Sequence, residues 1–250
     1  MPSAPRVALV TGSSRGLGSA IAERLGRDGL AVAVNDLHGG PRADGVVERV
    51  RASGGIASAI AGDVTDAGQV AELVTRVRDT LGPVDVLIVN ATGPQPEAPV
   101  EEVDWDEHLA QLAFFLRSPV LLGRAVLPSM ASRRFGRIVH IDSEVADRPP
   151  PGRSAYAAAK SAQIGLTRAW ARELAPLGIT VNAVAPGVVP VERHDGVPAE
   201  VRDAYLASVP AGRMGSPADI ASAVSFFASE DAGFLTGQRL VVDGGRALST

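Results

Sequence analysis

Short apolar runs rich in β-branched residues alternate with longer stretches rich in Ala, Leu and Arg along the whole 250-residue chain. Within each run the apolar residues are consecutive, which is typical of parallel strands covered by helices on both faces. Strand–helix alternation of this kind favours right-handed crossovers and a doubly wound α/β sheet. We therefore predict a single α/β domain over residues 1–250, built on a mostly parallel, seven-stranded sheet. The predicted strands are residues 6–12, 31–36, 56–64, 84–91, 136–143, 179–187 and 239–245, and the predicted helices lie near 17–28, 42–52, 66–80, 104–130, 154–176 and 217–229.

The charge and the cysteine content exclude several classes of function. A net charge of −4 at pH 7 argues against a nucleic-acid-binding surface. The absence of cysteine rules out disulfides and thiolate-bound metals, and no metal site is predicted. The first apolar run is too short for a signal peptide, and no run is expected to span a membrane. We expect a cytoplasmic protein without membrane or nucleic-acid partners.

The stretch LVTGSSRGLG places Gly12, Gly16 and Gly18 between the first predicted strand and the first predicted helix. Glycines at such a junction allow a tight turn, close approach of the backbone to a pyrophosphate, and close packing of helix on strand. The first N–H groups of the helix and the positive end of its dipole then face the phosphates. This junction predicts a Rossmann-type, dinucleotide-binding fold.

Asp36 ends the second predicted strand, where an acidic side chain binds the adenosine ribose hydroxyls of a dinucleotide. Its carboxylate would repel a 2′-phosphate, and so it favours NAD over NADP. Arg15, in the glycine-rich turn, is the opposing signal because its guanidinium could neutralise that phosphate. It could equally be a solvated loop cation. The sequence favours NAD and leaves NADP open.

Lys160 is the only lysine of a chain in which Lys and Arg together number 24. It follows Tyr156 by four residues in YAAAK, and the three alanines between them favour a helix. Residues i and i+4 share one face of a helix, so both side chains can reach the same space. A compact ammonium on a thin stem differs chemically from the broad fork of arginine. The pair predicts a functional role, the alternative being two side chains on a surface helix.

Several motifs together resemble the classical short-chain dehydrogenases/reductases. They occur in that family's order and spacing over essentially the whole chain, so the resemblance is specific. The fold and chemistry of the family become expectations for this chain. The motifs are TGSSRGLG (residues 11–18), GDV (62–64), VNAT (89–92), Ser143, YAAAK (156–160), APG (185–187) and GQRLVVDGG (237–245).

The resemblance implies an NAD(P)-dependent oxidoreductase that transfers a hydride between nicotinamide and a secondary alcohol or ketone. It implies that Tyr156 gives or takes the proton, and that Ser143 holds the substrate oxygen. Lys160 would bind the nicotinamide ribose and lower the pKa of Tyr156. The further cofactor-binding residues that it implies are Gly12, Ser14, Arg15, Gly16, Leu17, Gly18, Asp36, Asp63, Val64, Asn90, Ala91, Thr92, Pro186, Gly187 and Val189.

The charge of Lys160 is large enough for that effect on Tyr156. A free phenol has a pKa near 10, and lowering it to about 7 requires roughly 4 kcal/mol. One ammonium about 4 Å away supplies approximately this energy at an effective dielectric constant near 20. The pair therefore fits an acid/base group that works near neutral pH.

The sequence departs from the family's pattern in the fourth predicted helix. Counted from Trp105, Leu112 stands where the family usually has an asparagine. Leucine cannot hold the water that links the lysine to solvent, and Gln111 lies about 100° away around a helix. Val89 and Val191 are smaller departures in the cofactor-binding pattern. Reduced activity is the expected consequence.

Three functions are therefore left open. The first is an oxidoreductase, which the intact Ser143, Tyr156 and Lys160 favour. The second is a catalytically weakened NAD(P)-binding sensor or scaffold. The third is an enzyme that uses the bound cofactor for dehydration or epimerisation.

The substrate side carries weaker signals. Residues 188–215 are predicted to form a substrate loop, and Phe114 and Phe115 to pack a helix interface. Glu144 or His194 could select the substrate, although solvated loop residues are the simpler expectation. The predicted helices 104–130 and 154–176 are apolar over more than one face, which favours a homotetramer or homodimer. The loop residues considered as substrate contacts are Gln95, Asp142, Glu144, Arg193 and His194.

Overall fold

The computed structural model describes residues 4–192 and 196–248. Seven strands and eight α-helices occur in these residues, in the predicted order of alternation. The strands are β1 (Val7–Val10), β2 (Ala31–Asp36), β3 (Ile56–Ala61), β4 (Val84–Val89), β5 (Gly136–Ile141), β6 (Ile179–Pro186) and β7 (Arg239–Val242). The helices are α1 (Gly16–Arg27), α2 (Pro41–Ala52), α3 (Ala67–Thr80), α4 (Trp105–Leu112), α5 (Ser118–Arg133), α6 (Ser154–Leu174), α7 (Ala199–Ala207) and α8 (Pro217–Ala228).

All seven strands belong to one parallel sheet, in the order β3-β2-β1-β4-β5-β6-β7. The chain moves outward in one direction from β1 to β3 and then crosses over to β4 and continues in the other. Such a reversal opens a crevice at the carboxyl ends of β1 and β4, where ligands bind in open α/β sheets. The predicted doubly wound, Rossmann-type fold is confirmed.

The core lies in two apolar layers, one on each face of the sheet. Helices α1, α2 and α8 cover one face, and α3, α5 and α6 cover the other. The strands β1, β4, β5 and β6 are buried at every position. Their consecutive apolar residues therefore reflect burial from both sides, as the sequence pattern predicts.

Two helical features differ from the sequence prediction. The helix predicted over 104–130 contains a π-helical turn, Ala113–Arg117, which separates α4 from α5. Single π turns inside helices occur frequently at functional sites. Helix α7 lies within the predicted substrate loop, where no helix was predicted. None of its residues is buried, so it has no apolar stripe that the sequence could reveal.

The expectation that no segment is long and apolar enough to span a membrane is not met. The helical stretch Trp105–Arg133 passes that test of length and composition. This is weak evidence, because a core helix of a globular fold passes the same test. Its second half, α5, packs against α3 and β4 in the apolar layer of the sheet.

Candidate active site

The predicted site residues meet at one edge of the sheet. Parallel strands end at the same edge, and ligands bind there in folds of this type. Asp36 and Pro186 are the last residues of β2 and β6. Asn90 follows β4, and Ser143 follows β5 by two residues. The structure therefore brings together residues that are far apart in sequence.

Residues 12–18, here called the glycine turn, join β1 to α1 through tightly packed backbone. A Cβ atom on Gly18 would lie 2.3 Å from the carbonyl oxygen of Gly12 and 2.6 Å from Nδ2 of Asn90. Gly12 has φ +60°, a left-handed conformation that glycine adopts without strain. At Gly12 and Gly18 a side chain is excluded by close contact, and at Gly12 also by conformation, so the backbone of the turn can be approached closely there.

Two asparagines fix the glycine turn to the sheet. Nδ2 of Asn90 donates to the carbonyl oxygens of Thr11 and Gly12, at 2.9 and 3.0 Å. On the other side, Oδ1 of Asn35 accepts from the N–H of Gly12 at 3.3 Å. Asn90 thus supports the turn from behind, which is a role that the resemblance did not specify.

The N-terminus of α1 fits a bound anion. Its N-cap residue, Arg15, makes no side-chain capping bond, and the first turn holds no acidic residue. By contrast, side chains cap α3, α4 and α8 (Asp66, Asp104 and Ser216). The uncapped N–H groups and the positive dipole end suit a pyrophosphate. The exposed guanidinium of Arg15 has no hydrogen-bond or ion-pair partner among the described residues.

Asp36 is held as a carboxylate beside the glycine turn. It accepts hydrogen bonds from the hydroxyl of Ser14 and from the backbone N–H groups of His38 and Gly39, both at 3.1 Å. Burial raises the pKa of Asp36, but these three hydrogen bonds outweigh it, and the pKa lies below its ordinary value. A negative charge is therefore fixed at the end of β2 at neutral pH.

The other residues implied as cofactor-binding lie along the same edge, with varied surroundings. Oδ1 of Asp63 accepts from the N–H and hydroxyl of Thr65 at 2.8 and 2.7 Å. The hydroxyl of Thr92 accepts from Nε2 of Gln95 at 2.8 Å. The N–H of Gly187 donates to the carbonyl of Val242, so it is paired within the sheet. Four more of these residues lie in apolar surroundings. Val64 and Val189 are buried, and Leu17 and Ala91 are partly buried.

The catalytic candidates Tyr156 and Lys160 lie on one face of α6, as predicted, and both are buried. Nζ of Lys160 is 5.8 Å from the centre of the Tyr156 ring. It donates to the carbonyl oxygen of Ile141 at 2.6 Å and to Oε1 of Gln163 at 3.3 Å. The Lys160 cluster, as we call it, consists of Tyr156, Lys160, Ile141, Gln163, Phe115 and His140. A buried ammonium thus stands beside a buried phenol.

Phe115 covers the other side of this ammonium. Nζ of Lys160 lies 3.8 Å from the ring centre of Phe115, which is a cation–π contact. The Phe115 and Tyr156 rings meet edge to face, with centres 5.3 Å apart. Leu112 packs into the same group, and Gln111 turns away to donate to the carbonyl of Pro94 at 2.8 Å. Phe115 therefore packs at the Lys160 cluster itself.

A polar path continues behind Lys160. The hydroxyl of Thr167 donates to the carbonyl of Gln163, so it accepts from Nδ1–H of His140, 2.8 Å away. His140 is neutral, because burial and the nearby charge of Lys160 lower its pKa to about 3. Among the described residues, Nε2 of His140 and Nε2 of Gln163 are buried without partners.

The acidic neighbours of Ser143 are not the solvated loop residues that were expected. Asp142 and Glu144 are 3% and 7% exposed. Burial raises the pKa of Asp142, although Lys160 and Arg239 oppose that shift. Of the three other substrate candidates, Gln95 bonds to Thr92, and Arg193 and His194 lie outside the described residues.

A small pocket opens beside Tyr156 between α4, the loop after β4 and the start of α6. Its position next to the phenol makes it a candidate for part of the substrate site. It is lined by Pro96, Val103, Glu107, Gln111, Gly152, Ala155 and Tyr156.

Sequence reasoning missed three residues that surround the candidate catalytic groups. Gln163 could have been found, because it lies three residues after Lys160 on the same helical face. Phe115 could not, because its direction depends on the π turn. Arg239, which contacts Asp142 and Ser143, comes from a strand two positions away in the sheet and carries no local signal.

Comparison with known proteins gives consistent matches over nearly the whole chain. Residues 12–247 match the family model described as enoyl-(acyl carrier protein) reductase. The chain is 38% identical over 240 residues to 3-oxoacyl-[acyl-carrier-protein] reductase FabG of Staphylococcus aureus (strain Mu50), covering 95% of this chain and 96% of the relative.

Two solved structures have nearly the same fold. A gluconate 5-dehydrogenase from Burkholderia cenocepacia J2315, in complex with NADP and tartrate, gives a TM-score of 0.92 at 32% identity, covering 99% and 97% of the two chains. A 3-oxoacyl (acyl-carrier-protein) reductase from Agrobacterium tumefaciens C58, with NADP bound, gives 0.89 at 36% identity, covering 96% and 94%.

Proposed function

Because the chain belongs to the classical short-chain dehydrogenase/reductase family, we propose that Tyr156 is its acid/base group in the oxidation of a secondary alcohol or the reduction of a ketone. The chain is an NAD(P)-dependent oxidoreductase that acts on C=O or CH–OH groups. The observation that carries the proposal is the buried ammonium of Lys160 beside the Tyr156 ring, 5.8 Å from its centre.

The proposed roles follow from the surroundings of each group. Lys160, fixed by Ile141, Gln163 and Phe115, stabilises the phenolate form of Tyr156 and keeps it able to accept a proton near neutral pH. The Ser143 hydroxyl orients the substrate oxygen toward Tyr156. A bound nicotinamide dinucleotide supplies or accepts the hydride.

The glycine turn and the uncapped N-terminus of α1 fit the pyrophosphate of that dinucleotide, because the helix N-terminus offers backbone N–H groups and Gly12 and Gly18 have no room for a side chain. The remaining residues proposed to line the cofactor are those implied in the sequence analysis, from Asp36 and Asp63 to Pro186 and Val189. This assignment rests on their common position at the carboxyl edge of the sheet.

Replacing Tyr156 with phenylalanine tests the proposal. The change keeps the ring that packs against Phe115 and removes the hydroxyl. We expect kcat to fall by about 10²–10⁴ with dinucleotide affinity retained. The readouts are the absorbance of reduced nicotinamide with a panel of ketones and alcohols, and dinucleotide binding by fluorescence. If wild type and Tyr156→Phe are equally inert across the panel while both bind the dinucleotide, the sensor or scaffold alternative replaces this proposal.

We further propose that the chain prefers NAD, although both solved relatives described above contain NADP. The supporting observation is Asp36, whose carboxylate is kept ionised by Ser14, His38 and Gly39. A 2′-phosphate placed against this charge would be repelled, whereas ribose hydroxyls would donate to it. Arg15 is the residue by which an NADP preference would arise instead.

The ratio of kcat/KM with NADH to that with NADPH measures this preference. We expect a ratio of about tenfold or more for wild type, which corresponds to roughly 1.4 kcal/mol. Asp36→Asn keeps the shape and removes the charge, and it should bring the ratio close to one. A wild-type preference for NADPH that disappears in Arg15→Ala would overturn the proposal and assign the 2′-phosphate to Arg15.

The state of assembly and the location of the protein stay predictions. We propose a homotetramer or homodimer formed through the helices α4, α5 and α6. Trp105 and Leu109 lie one turn apart on α4 and are 65% and 46% exposed, so they form an apolar pair that a second copy of the chain could cover. A monomeric mass by light scattering would contradict this.

A cytoplasmic location is also proposed, and cell fractionation would check it.

A further inference from the structure

Both residues that flank Ser143 are buried carboxylates, and each is paired with an arginine from the last part of the chain. Asp142 pairs with Arg239, and Glu144 pairs with Arg246. A buried charge is costly unless it is paired and hydrogen-bonded. The two pairs therefore tie the loop that carries Ser143 to the C-terminal segment.

Arg239 holds this loop at three points. Its Nε donates to Asp142, its Nη1 donates to Oδ2 of Asp147 at 2.5 Å, and its Nη2 donates to the carbonyl oxygen of Ser143 at 2.8 Å. It lies on β7, with β6 between it and β5. A planar guanidinium can hold several acceptors in a fixed arrangement, which a single ammonium cannot.

Arg246 joins the same loop to α7. Its Nη1 donates to Oε2 of Glu144 at 2.8 Å, and its Nε donates to the hydroxyl of Ser208 at 2.8 Å. Its guanidinium also stacks on the ring of Tyr205, 4.5 Å from the ring centre. The hydroxyl of Tyr205 donates to Oε1 of Glu144 at 3.0 Å. Both carboxylate oxygens of Glu144 are thus occupied by the C-terminal turn and by α7.

Tyr205 extends the connection to the end of β6. Its hydroxyl accepts from the N–H of Val188 at 2.7 Å, next to Gly187. Burial and the adjacent Glu144 raise the pKa of Tyr205 to about 12, so the hydroxyl keeps its proton at neutral pH and can donate. The serine loop, the C-terminal turn, α7 and the end of β6 are therefore connected through Glu144 and Tyr205.

The loop fixes Ser143 only in part. At its start, the N–H of Asp142 donates to the carbonyl of Val184 at 2.7 Å and continues the pairing of β5. In the short 3₁₀ turn that follows, Glu144–Ala146, the Ser143 carbonyl accepts from the N–H of Ala146 at 3.3 Å, and the Ser143 hydroxyl accepts from the N–H of Val145 at 3.2 Å. Both bonds are longer than the 2.8 Å bond from Arg239 to the same carbonyl, so groups outside the loop add to the positioning of Ser143.

We propose that Arg239 and Arg246 are positioning residues for Ser143, which makes the C-terminal segment part of the active-site architecture. This rests on the proposed function of Ser143 as the group that orients the substrate oxygen. Arg239 acts directly on the Ser143 backbone. Arg246 acts through Glu144 and couples the loop to α7.

The first test is a double-mutant cycle between Arg239→Lys and Ser143→Ala. Lysine keeps the positive charge that Asp142 requires but cannot hold all three acceptors. If Arg239 acts through Ser143, Arg239→Lys should lower kcat about tenfold in wild type and much less in the Ser143→Ala background. Dinucleotide affinity, measured by fluorescence, should not change in either background.

The possible outcomes separate the inference from the proposed function. If Ser143→Ala alone leaves kcat unchanged, the proposed role of Ser143 fails, and the inference fails with it. If Ser143→Ala lowers kcat but Arg239→Lys has the same effect in both backgrounds, only the inference is overturned.

Arg246 provides a second variant that leaves the more deeply buried pair intact. Arg246→Met should lower kcat several-fold, and Arg246→Lys should restore part of the loss. The matched control is Arg24→Met, which breaks a two-bond ion pair with Asp28 at 3.0 Å, at the C-terminal end of α1 and away from the serine loop. Identical kinetics for Arg246→Met and Arg24→Met would overturn the role of Arg246, and thermal unfolding of every variant shows whether it is folded.

Discussion

The glycine turn and the Lys160 cluster lie at the same edge of the sheet but are built from different material. The glycine turn is fixed through its backbone: Asn90 holds the carbonyls of Thr11 and Gly12, and Asn35 holds the N–H of Gly12. The Lys160 cluster is made of buried side chains, among them an ammonium, a phenol and a neutral imidazole.

This difference determines which kind of substitution disrupts each region. The glycine turn has no room for a Cβ atom at Gly12 or Gly18, so an added atom at either position damages it. The Lys160 cluster depends on charge and hydrogen bonding, so loss of a polar atom or a change of protonation damages it. The following predictions separate these two modes of failure, from the largest expected effect to the smallest.

Gly18→Ala should cause the largest loss of stability. The new Cβ would lie 2.3 Å from the Gly12 carbonyl oxygen, and neither backbone can move away without disturbing the turn. We expect the free energy of unfolding to fall by about 3 kcal/mol, with weaker dinucleotide binding. Urea unfolding and dinucleotide titration measure the two effects.

A glycine near the Lys160 cluster is the matched control. Gly165 lies in α6, and a Cβ there would meet nothing within 4 Å. Gly165→Ala should raise the free energy of unfolding by up to about 1 kcal/mol, because alanine favours helix. Equal destabilisation by both substitutions would contradict the idea that crowding is specific to the glycine turn.

Acid should destabilise the protein through the Lys160 cluster. The pKa of His140 is about 3 in the folded protein and near 6.5 in an unfolded chain. Below pH 6.5 His140 is protonated in the unfolded chain but stays neutral in the folded protein. The free energy of unfolding therefore falls as the pH drops from about 6.5 toward 3. The loss from this residue amounts to about 2 kcal/mol at pH 5.

His140→Asn should remove this part of the acid sensitivity. The measurement is the difference in the free energy of unfolding between pH 7 and pH 5, compared with wild type. An unchanged pH difference in His140→Asn would show that another group carries the acid sensitivity.

Gln163→Met should have the smallest effect, confined to catalysis. Methionine keeps the length of the side chain and removes the acceptor 3.3 Å from Nζ of Lys160. With a less firmly held ammonium, Tyr156 should be harder to ionise. We expect kcat to fall about threefold to tenfold, and the apparent pKa of the pH–rate profile to rise.

Gln111→Met is the comparison for this variant. Gln111 is also buried, but its amide donates to Pro94 and not toward Lys160. It should leave the apparent pKa of the pH–rate profile in place, whatever its effect on KM. A shift of the same size in both variants would argue against a specific role of Gln163.

The sequence predicted those parts of the fold in which the local pattern of residues is compatible with only one secondary structure. Consecutive apolar runs predicted every strand. In β1, β4, β5 and β6 the reason is that strands covered on both faces bury all their residues, whereas the edge strands β3 and β7 are partly exposed. Helix α7 was missed because it buries no residue. The π turn at Ala113–Arg117 was missed because an unbroken helical composition gives no sign of a change in hydrogen bonding.

The sequence by itself determined the order of the elements, the glycine turn, and the shared face of Tyr156 and Lys160. Each depends on residues within about one or two helical turns of one another, where spacing fixes geometry. Only the tertiary structure placed Phe115 over Lys160 and brought Arg239 to Asp142, 97 residues away in sequence. Such contacts depend on the order of the strands in the sheet and on how each helix is rotated about its axis. The local spacing of residues in the sequence does not determine either.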